Sequence, residues 1–331
     1  MSGLFVYKHA EAVRAQGCDV RVICSSGWRD MLRQWRTLRR EGWMPDIVQV
    51  NVIQKQGLLA KAIREEFGIP YIIVEHWSGY MPENGQFAKM SSLKRQIYRQ
   101  VCKEAEQVLT VSMPLQRAMQ ACGMQAKEWG TIDNVVDDFF YEKSRVKSQE
   151  SRVKTLLHVS CFDEQAKNVK GLLRAAKMLS VKRQDWRLVL IGTGVDYADV
   201  RAYAEDLQIP EGLLEWTGEL DPKEVAAWMH KADALVLSSR YETYGVVLAE
   251  AAAAGLPILS TPVGIAEELG ALIVPQEIAQ NKAGTFAEFM ETALWSQESR
   301  VKSQECRARF SADSIGKKLK DIYDSCLHRD I

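Results

Sequence analysis

An α/β fold built on parallel sheets is what this sequence predicts, and three observations predict it. Short runs rich in β-branched residues alternate with longer helical patterns, the mark of strands joined by helices that cover the sheet faces. A length of 331 residues suits about two such layers at the usual domain size. A hydrophobic content of 47% is ample for two cores, and 26% charged residues is ordinary for a globular chain.

Taken in order, the strands of the first layer fall at 20–24, 46–52, 71–76 and 108–112. Those of the second fall at 155–160, 187–192, 213–218, 234–238 and 257–260, with helices such as 171–179 and 221–230 between them. One feature of the start is unusual. In a nucleotide-binding α/β domain the first strand precedes the glycine-bearing turn, yet here Ser2-Gly3 opens the chain and an amphipathic helix follows at once. The expectation is a first layer whose first strand is missing, through a misplaced start or a truncated product.

The domain plan is a first domain over 1–142, a polar linker over 143–154, a second domain over 155–311, and a C-terminal helix over 312–331 that crosses back to the first. The linker carries SRVKSQESRVK at 144–154, and a near copy appears at 296–307. Its single Val per repeat cannot form an apolar coiled-coil seam, so both copies read as solvated segments without chemistry.

Composition narrows the function. Lys+Arg and Asp+Glu each total 43, and this zero balance speaks against nucleic acid as the partner. Seven Cys form no CxxC pair, which fits reduced thiols in a cytosol better than a disulfide framework. No segment approaches a membrane span, and the amino terminus lacks the apolar run of a signal peptide. The expected location is cytoplasmic.

The segment 238–268, SSRYETYGVVLAEAAAAGLPILSTPVGIAEE, carries the most chemistry. A strand ends in a short polar loop, a helix runs over about 244–254, Gly255 suits a left-handed cap, and a second strand follows. The helix amino end offers unpaired N–H groups and partial positive charge, which suits a phosphate. Glu250 is the sole polar side chain in VVLAEAAAA, and Glu242 lies eight positions earlier in the loop. Two carboxylates flanking a phosphate site would match a nucleoside diphosphate sugar, whose hydroxyls lie on either side of its pyrophosphate. The competing reading makes Glu250 a solvated edge residue and Glu242 an ordinary helix-start acid.

At this point the segment resembles the donor-site signature of glycosyltransferase family 4. Further matches run in order: PDIVQVN at 45–51, VLTVSMPL at 108–115, IDNVVD at 132–137, LLHVSCFDEQAKNVKGLLRA at 156–175, LVLIGTG at 188–194 and WTGEL at 216–220. The resemblance implies the GT-B fold, two Rossmann-like domains facing across a cleft, and a retaining transfer from a UDP- or GDP-sugar to an acceptor hydroxyl on a glycan or lipid. Cell-surface polysaccharide or glycolipid synthesis is the implied setting. It places Glu250 on the ribose hydroxyls, Glu242 on the transferred sugar, and the main-chain N–H groups of Thr243, Tyr244 and Gly245 around the distal phosphate. Lys167 matches the family's phosphate-binding lysine, whose charge would offset the departing diphosphate. His76, at the end of YIIVEH, resembles the family's active-site histidine, with Glu75 as an orienting partner. By residue type alone, a histidine at a strand end such as His76 is more often a hydrogen-bonded structural residue, and the alternative for Lys167 is a surface lysine with no role. Front-face chemistry is implied, in which the leaving diphosphate helps take the acceptor proton.

The sequence departs from the family at Ser160-Cys161, where a Gly-Arg pair is common, so one phosphate cation is lost or replaced. GTGVDY lacks the third glycine of a dinucleotide fingerprint. No Cys, His and acid spacing suggests zinc, and no cofactor or metal is expected. His9, on the first helix, reads as structural. Residues 28–43 hold five Arg against two acids at helical spacing, and read either as a helix packed on the sheet or as a peripheral membrane contact. The rival to an enzyme is a non-catalytic, GT-B-like protein that binds sugar nucleotides.

Overall fold

In the computed structural model the described residues are 3–24, 27–142, 153–295 and 303–328. Most of both SRVKSQE repeats, and with them most of the expected linker, lie outside these residues. Along the chain come α1 (Leu4–Arg14), α2 (Trp28–Arg40), β1 (Val48–Asn51), α3 (Lys55–Phe67), β2 (Tyr71–Glu75), α4 (Ser92–Glu104), β3 (Val108–Thr110), α5 (Met113–Ala121) and β4 (Trp129–Thr131). Then follow β5 (Lys154–Val159), α6 (Glu164–Lys167), α7 (Val169–Lys182), β6 (Trp186–Ile191), α8 (Tyr197–Asp206), β7 (Leu214–Gly218), α9 (Pro222–Lys231) and β8 (Ala234–Leu237). The last are α10 (Val246–Ala253), β9 (Ile258–Ser260), β10 (Leu272–Ile273), α11 (Gln276–Asn281), α12 (Ala283–Trp295), α13 (Ser303–Phe310) and α14 (Ala312–Leu327).

Two compact units result: Met1–Val135 with Arg309–Ile331, and Val136–Ala308. The first holds a parallel sheet in the order β1-β2-β3-β4. β2 is buried along its whole length, as a central parallel strand covered on both faces must be. α14 returns to this unit and packs beside α1: Ile315 and Leu319 join Ala12, Val13, Ile72 and Val74 in one core. The contact is close, because a Cβ on Gly316 would stand 2.3 Å from the Ala12 carbonyl oxygen.

The expected strand at 20–24 does not form. Among the described residues no strand precedes Val48, and a β-branched run without a ladder partner cannot satisfy its backbone as a strand. Its side chains are used all the same: Val20 packs on the core beneath α1 and α14, and Ile23 on that beneath α2. Helix α2 buries Met31 and Trp35 against Leu59, Ile63 and Ile69, so much of the apolar stripe of 28–43 packs on the core, while Trp28 stays exposed. All five of its arginines are exposed.

The second unit holds a parallel sheet in the order β10-β9-β8-β5-β6-β7. Its core gathers Trp186, Phe162, Phe286, Leu172 and Leu188, each fully buried and each contributing roughly 1.5–3 kcal/mol by removal from water. Local signals agree with the fold. Asp221 and Glu224 close a capping box on α9 with Pro222 at its first turn, and Ser112 caps α5. Strand order reverses direction between β5 and β8, so their carboxyl ends flank the switch point where open α/β sheets bind ligands. The short strands β4 and β10 were not legible as β-runs: one contains a glycine and the other is two residues long.

Candidate functional site

The loops after β5 and β8 meet at that switch point. Asn168 adopts a left-handed conformation between α6 and α7 and is fully buried. Its amide donates to the carbonyls of Ser238 at 3.3 Å and Ala279 at 3.1 Å, while Arg240 donates to its Oδ1 at 3.0 Å. Ser238 Oγ returns a hydrogen bond to the Lys167 carbonyl at 2.9 Å, and Gln276 donates to the carbonyls of Ser239 and Arg240. These bonds hold the two loops as one rigid surface. Asn168, Arg240 and Gln276 escape a sequence reading because what they satisfy is backbone brought in from distant segments.

On that surface Lys167 Nζ and Glu242 Oε1 form an ion pair at 2.5 Å, with both side chains mostly buried. Ser239 Oγ donates to the same carboxylate oxygen at 2.8 Å. Burial works against the Lys167 ammonium, but the charge and hydrogen bond of Glu242 outweigh it and hold its pKa above the ordinary lysine value. The sequence reading assigned these two groups to different parts of a ligand; the structure also makes them each other's counter-ion.

The helix begins two residues later than the spacing suggested. α10 starts at Val246, and Gly245 (φ 77°) is its left-handed cap. Glu242, Thr243 and Tyr244 therefore form a turn ahead of the helix. That turn is braced from behind: Ile265 N–H donates to the Tyr244 carbonyl at 3.0 Å, and a Cβ on Gly264 would come within 2.1 Å of that oxygen. α10 buries Leu248, Ala249 and Ala251–Ala253, and Glu250 lies on its partly exposed face.

The glycines of GTG have a steric role. A Cβ on Gly192 would lie 2.0 Å from the Ser160 carbonyl oxygen, and one on Gly194 would lie 1.9 Å from that of Cys161. Only glycine lets the loop after β6 press against the loop after β5. His158 anchors the latter: its Nδ1–H donates to the Val236 carbonyl at 2.9 Å and its Nε2 accepts from Ser160 Oγ at 2.9 Å. Burial lowers its pKa to about 4, so the ring is neutral. Arg240 does not replace the cation absent at Cys161, because its guanidinium is spent on the carbonyls of Glu164 and Gln165 and on Asn168.

In the first unit His76 directly follows β2. Glu75, fully buried, does not orient its ring: the carboxylate accepts the backbone N–H groups of His76 and Trp77 at 2.9 Å and of Ile53 at 3.0 Å. Phe5 stacks on the His76 ring with centroids 3.7 Å apart. Burial, with His9 nearby, pulls the His76 pKa well below the ordinary histidine value. Lys167, Glu242, Thr243, Tyr244, Gly245 and Glu250 thus share one sheet edge of the second unit, and His76 stands at the sheet edge of the first. Among the described residues no cluster of three or more His, Cys, Asp or Glu side chains is gathered for a metal ion. No described helix is long and apolar enough to cross a membrane.

Comparison with known proteins agrees with this architecture. The family model for glycosyl transferases group 1 matches residues 140–306, just over half of the chain. The chain belongs to this family. A second model, glycosyltransferase family 4, matches residues 26–138, nearly all of which lie in the first unit. Glycogen synthase of Mycobacterium tuberculosis is 24% identical over 314 residues, covering 88% of this chain and 73% of the relative. N-acetyl-alpha-D-glucosaminyl L-malate synthase of Bacillus anthracis is 30% identical over 144 residues, 42% of this chain and 36% of that protein. Sucrose-phosphate synthase from Thermosynechococcus elongatus superimposes with a TM-score of 0.76 at 18% identity, over 98% of this chain and 93% of that one. HepE of Anabaena, solved with UDP-glucose, gives 0.67 at 18% identity, over 93% and 85%. The fold of this group 1 glycosyltransferase is therefore GT-B, as the sequence led one to expect.

Proposed function

We propose that this chain is a retaining transferase that moves a sugar from a UDP- or GDP-sugar to an acceptor hydroxyl on a glycan or lipid-linked substrate. The observation that carries the reading is the Lys167–Glu242 ion pair, set at the switch point beside the left-handed entry to α10. The pair sets a cation and an anion side by side at the switch point, so that when a ligand binds Lys167 exchanges one anionic partner for another. In this reading Lys167 turns to the diphosphate, joined by the N–H groups of Thr243, Tyr244 and Gly245. Glu242 accepts from hydroxyls of the transferred sugar, and Glu250 accepts from the ribose.

Bond cleavage places charge on the departing diphosphate. Lys167 and the amino end of α10 answer that charge without a metal, and they stabilise the transition state more than the ground state because the charge grows during the reaction. The diphosphate then takes the acceptor proton on the face it leaves. His76 is the proposed contribution of the first unit. With Met31 and Trp35 of α2 packed inward, a peripheral membrane contact would use its exposed arginines and Trp28 on anionic lipid, which vesicle cosedimentation tests.

The test of the function is a thermal-shift screen of UDP- and GDP-sugars on the full chain, followed by hydrolysis and transfer assays with the donor that binds. One donor is expected to raise the apparent stability by mass action and to be consumed. Binding without any turnover would overturn the enzymatic reading in favour of a sugar-nucleotide-binding protein.

A further inference from the structure

Five buried side-chain polar atoms of the first unit lack a hydrogen-bond partner among the described residues, and three of them are His9 Nδ1, His76 Nε2 and Asn134 Oδ1. An orphaned buried polar atom is costly, by about 1–3 kcal/mol, so the two on neighbouring histidine rings call for an explanation. His9 sits on α1 and its Nε2 lies 3.1 Å from the carbonyl oxygen of Asp133, the residue before Asn134. A carbonyl only accepts, so Nε2 of His9 carries the proton. Burial outweighs the raising influence of Asp133 and keeps His9 below its ordinary pKa, so the ring is neutral and its Nδ1 presents a lone pair.

The ring of His76 lies 6.1 Å from that of His9, centroid to centroid, at an interplanar angle of 47°. Phe5, four residues before His9 and so on the same face of α1, stacks on His76. One helix thus supplies both the stacking surface and the polar neighbour of the same imidazole. Of the three orphaned atoms, His9 Nδ1 and Asn134 Oδ1 can only accept. His76 Nε2 is the one that can supply a proton.

We infer that His9 is a positioning residue for His76: one shared water donates to His9 Nδ1 and accepts the Nε2–H of His76, which fixes His76 in the Nε2–H tautomer. The opposite nitrogen, Nδ1, is then the lone-pair acceptor of a residue that is itself partly exposed. Under the transferase reading, on which this last step rests, that nitrogen receives the proton end of a substrate hydroxyl.

Long-range proton–nitrogen NMR on the full chain labelled with 15N-histidine tests the tautomer without any need for turnover. At neutral pH His76 is expected to show one protonated nitrogen, at the ε position, and one lone-pair nitrogen at the δ position. His9→Gln keeps an amide that can reach the Asp133 carbonyl but moves the acceptor lone pair away from the Nδ1 position, and is expected to draw the two His76 nitrogen shifts together as the tautomers mix. His9→Asn places an amide oxygen near the position of Nδ1 without reaching Asp133, and is expected to restore the single tautomer. A purely structural His9 would give the reverse ranking, which would overturn the inference. So would an Nδ1–H tautomer in the unsubstituted chain, whether or not the variants fold. With an active donor, His9→Gln should lower kcat about tenfold at unchanged donor KM, and His9→Asn should recover it. Absence of transfer with the expected tautomer present would count against the function and leave the positioning role standing.

Discussion

Lys167 and Glu242 illustrate what single residues contribute here. Each is a mostly buried charge that would be expensive alone and is made tolerable by the other, and Glu242 also accepts from Ser239. Glu250 carries a separate prediction: Glu250→Gln removes a charge-assisted acceptor and is expected to weaken donor binding by about tenfold or more, read by titration calorimetry. Unchanged affinity would remove Glu250 from the site. Glu75 carries another. Burial lifts its pKa to about 7 against the pull of three backbone N–H groups, from an ordinary value of 4.5. The folded chain then holds a proton that the unfolded chain has released, so this residue's contribution to stability falls as pH rises from about 4.5 to about 7. His158, lowered to about 4, acts in the opposite sense and loses stability as pH drops from 6.5 toward 4. Urea unfolding at several pH values should show the parent losing about 3 kcal/mol relative to Glu75→Gln across the first window. A constant difference between the two would refute the buried, proton-holding carboxyl.

Turns and helix contacts, one scale up, depend on where a side chain is absent. Gly264 braces the turn ahead of α10 at a φ of 53°, with the Tyr244 carbonyl where a Cβ would stand. Gly264→Ala is expected to cost about 1–3 kcal/mol and to weaken donor binding together with stability, because the turn that presents Thr243 and Tyr244 must shift. Gly316 makes a matched control in the first unit. Gly316→Ala pushes α14 off the Ala12 backbone and should cost a similar 1–3 kcal/mol while donor affinity holds. Paired thermal unfolding and calorimetry on the two variants checks both, and equal affinity losses would mean that the turn has no special role.

For the molecule as a whole, hydrogen exchange with and without donor gives the broadest check. Donor should slow exchange over 161–168 and 239–246, the two loops joined at the switch point. Protection elsewhere with these segments unchanged would move the site. How far such a map could be drawn in advance differs from element to element. The second unit was legible because β5, β6 and β8 are apolar runs of four to six residues closed by polar loops and α9 opens with an explicit capping box. The segment 20–24 reads identically, yet forms no strand, since strand formation depends on a neighbour as much as on β-branched residues. In the candidate site, Glu242, Glu250 and Lys167 stood out as acids and a base in apolar or glycine-bearing contexts. Asn168, Arg240 and Gln276 did not, since nothing local marks a side chain whose partner is a carbonyl far away in the sequence.

Residue order alone determined the α/β class and the two layers, which follow from periodicity, and the ordered series of motifs carried the resemblance to the family. Tertiary structure decided that Lys167 and Glu242 are paired, that Glu75 serves backbone instead of the His76 ring, and that His9 comes beside His76. Those outcomes depend on distances between segments from 67 to 75 residues apart in the last and first cases, and on burial, which changes the strength of every charge and hydrogen bond it encloses.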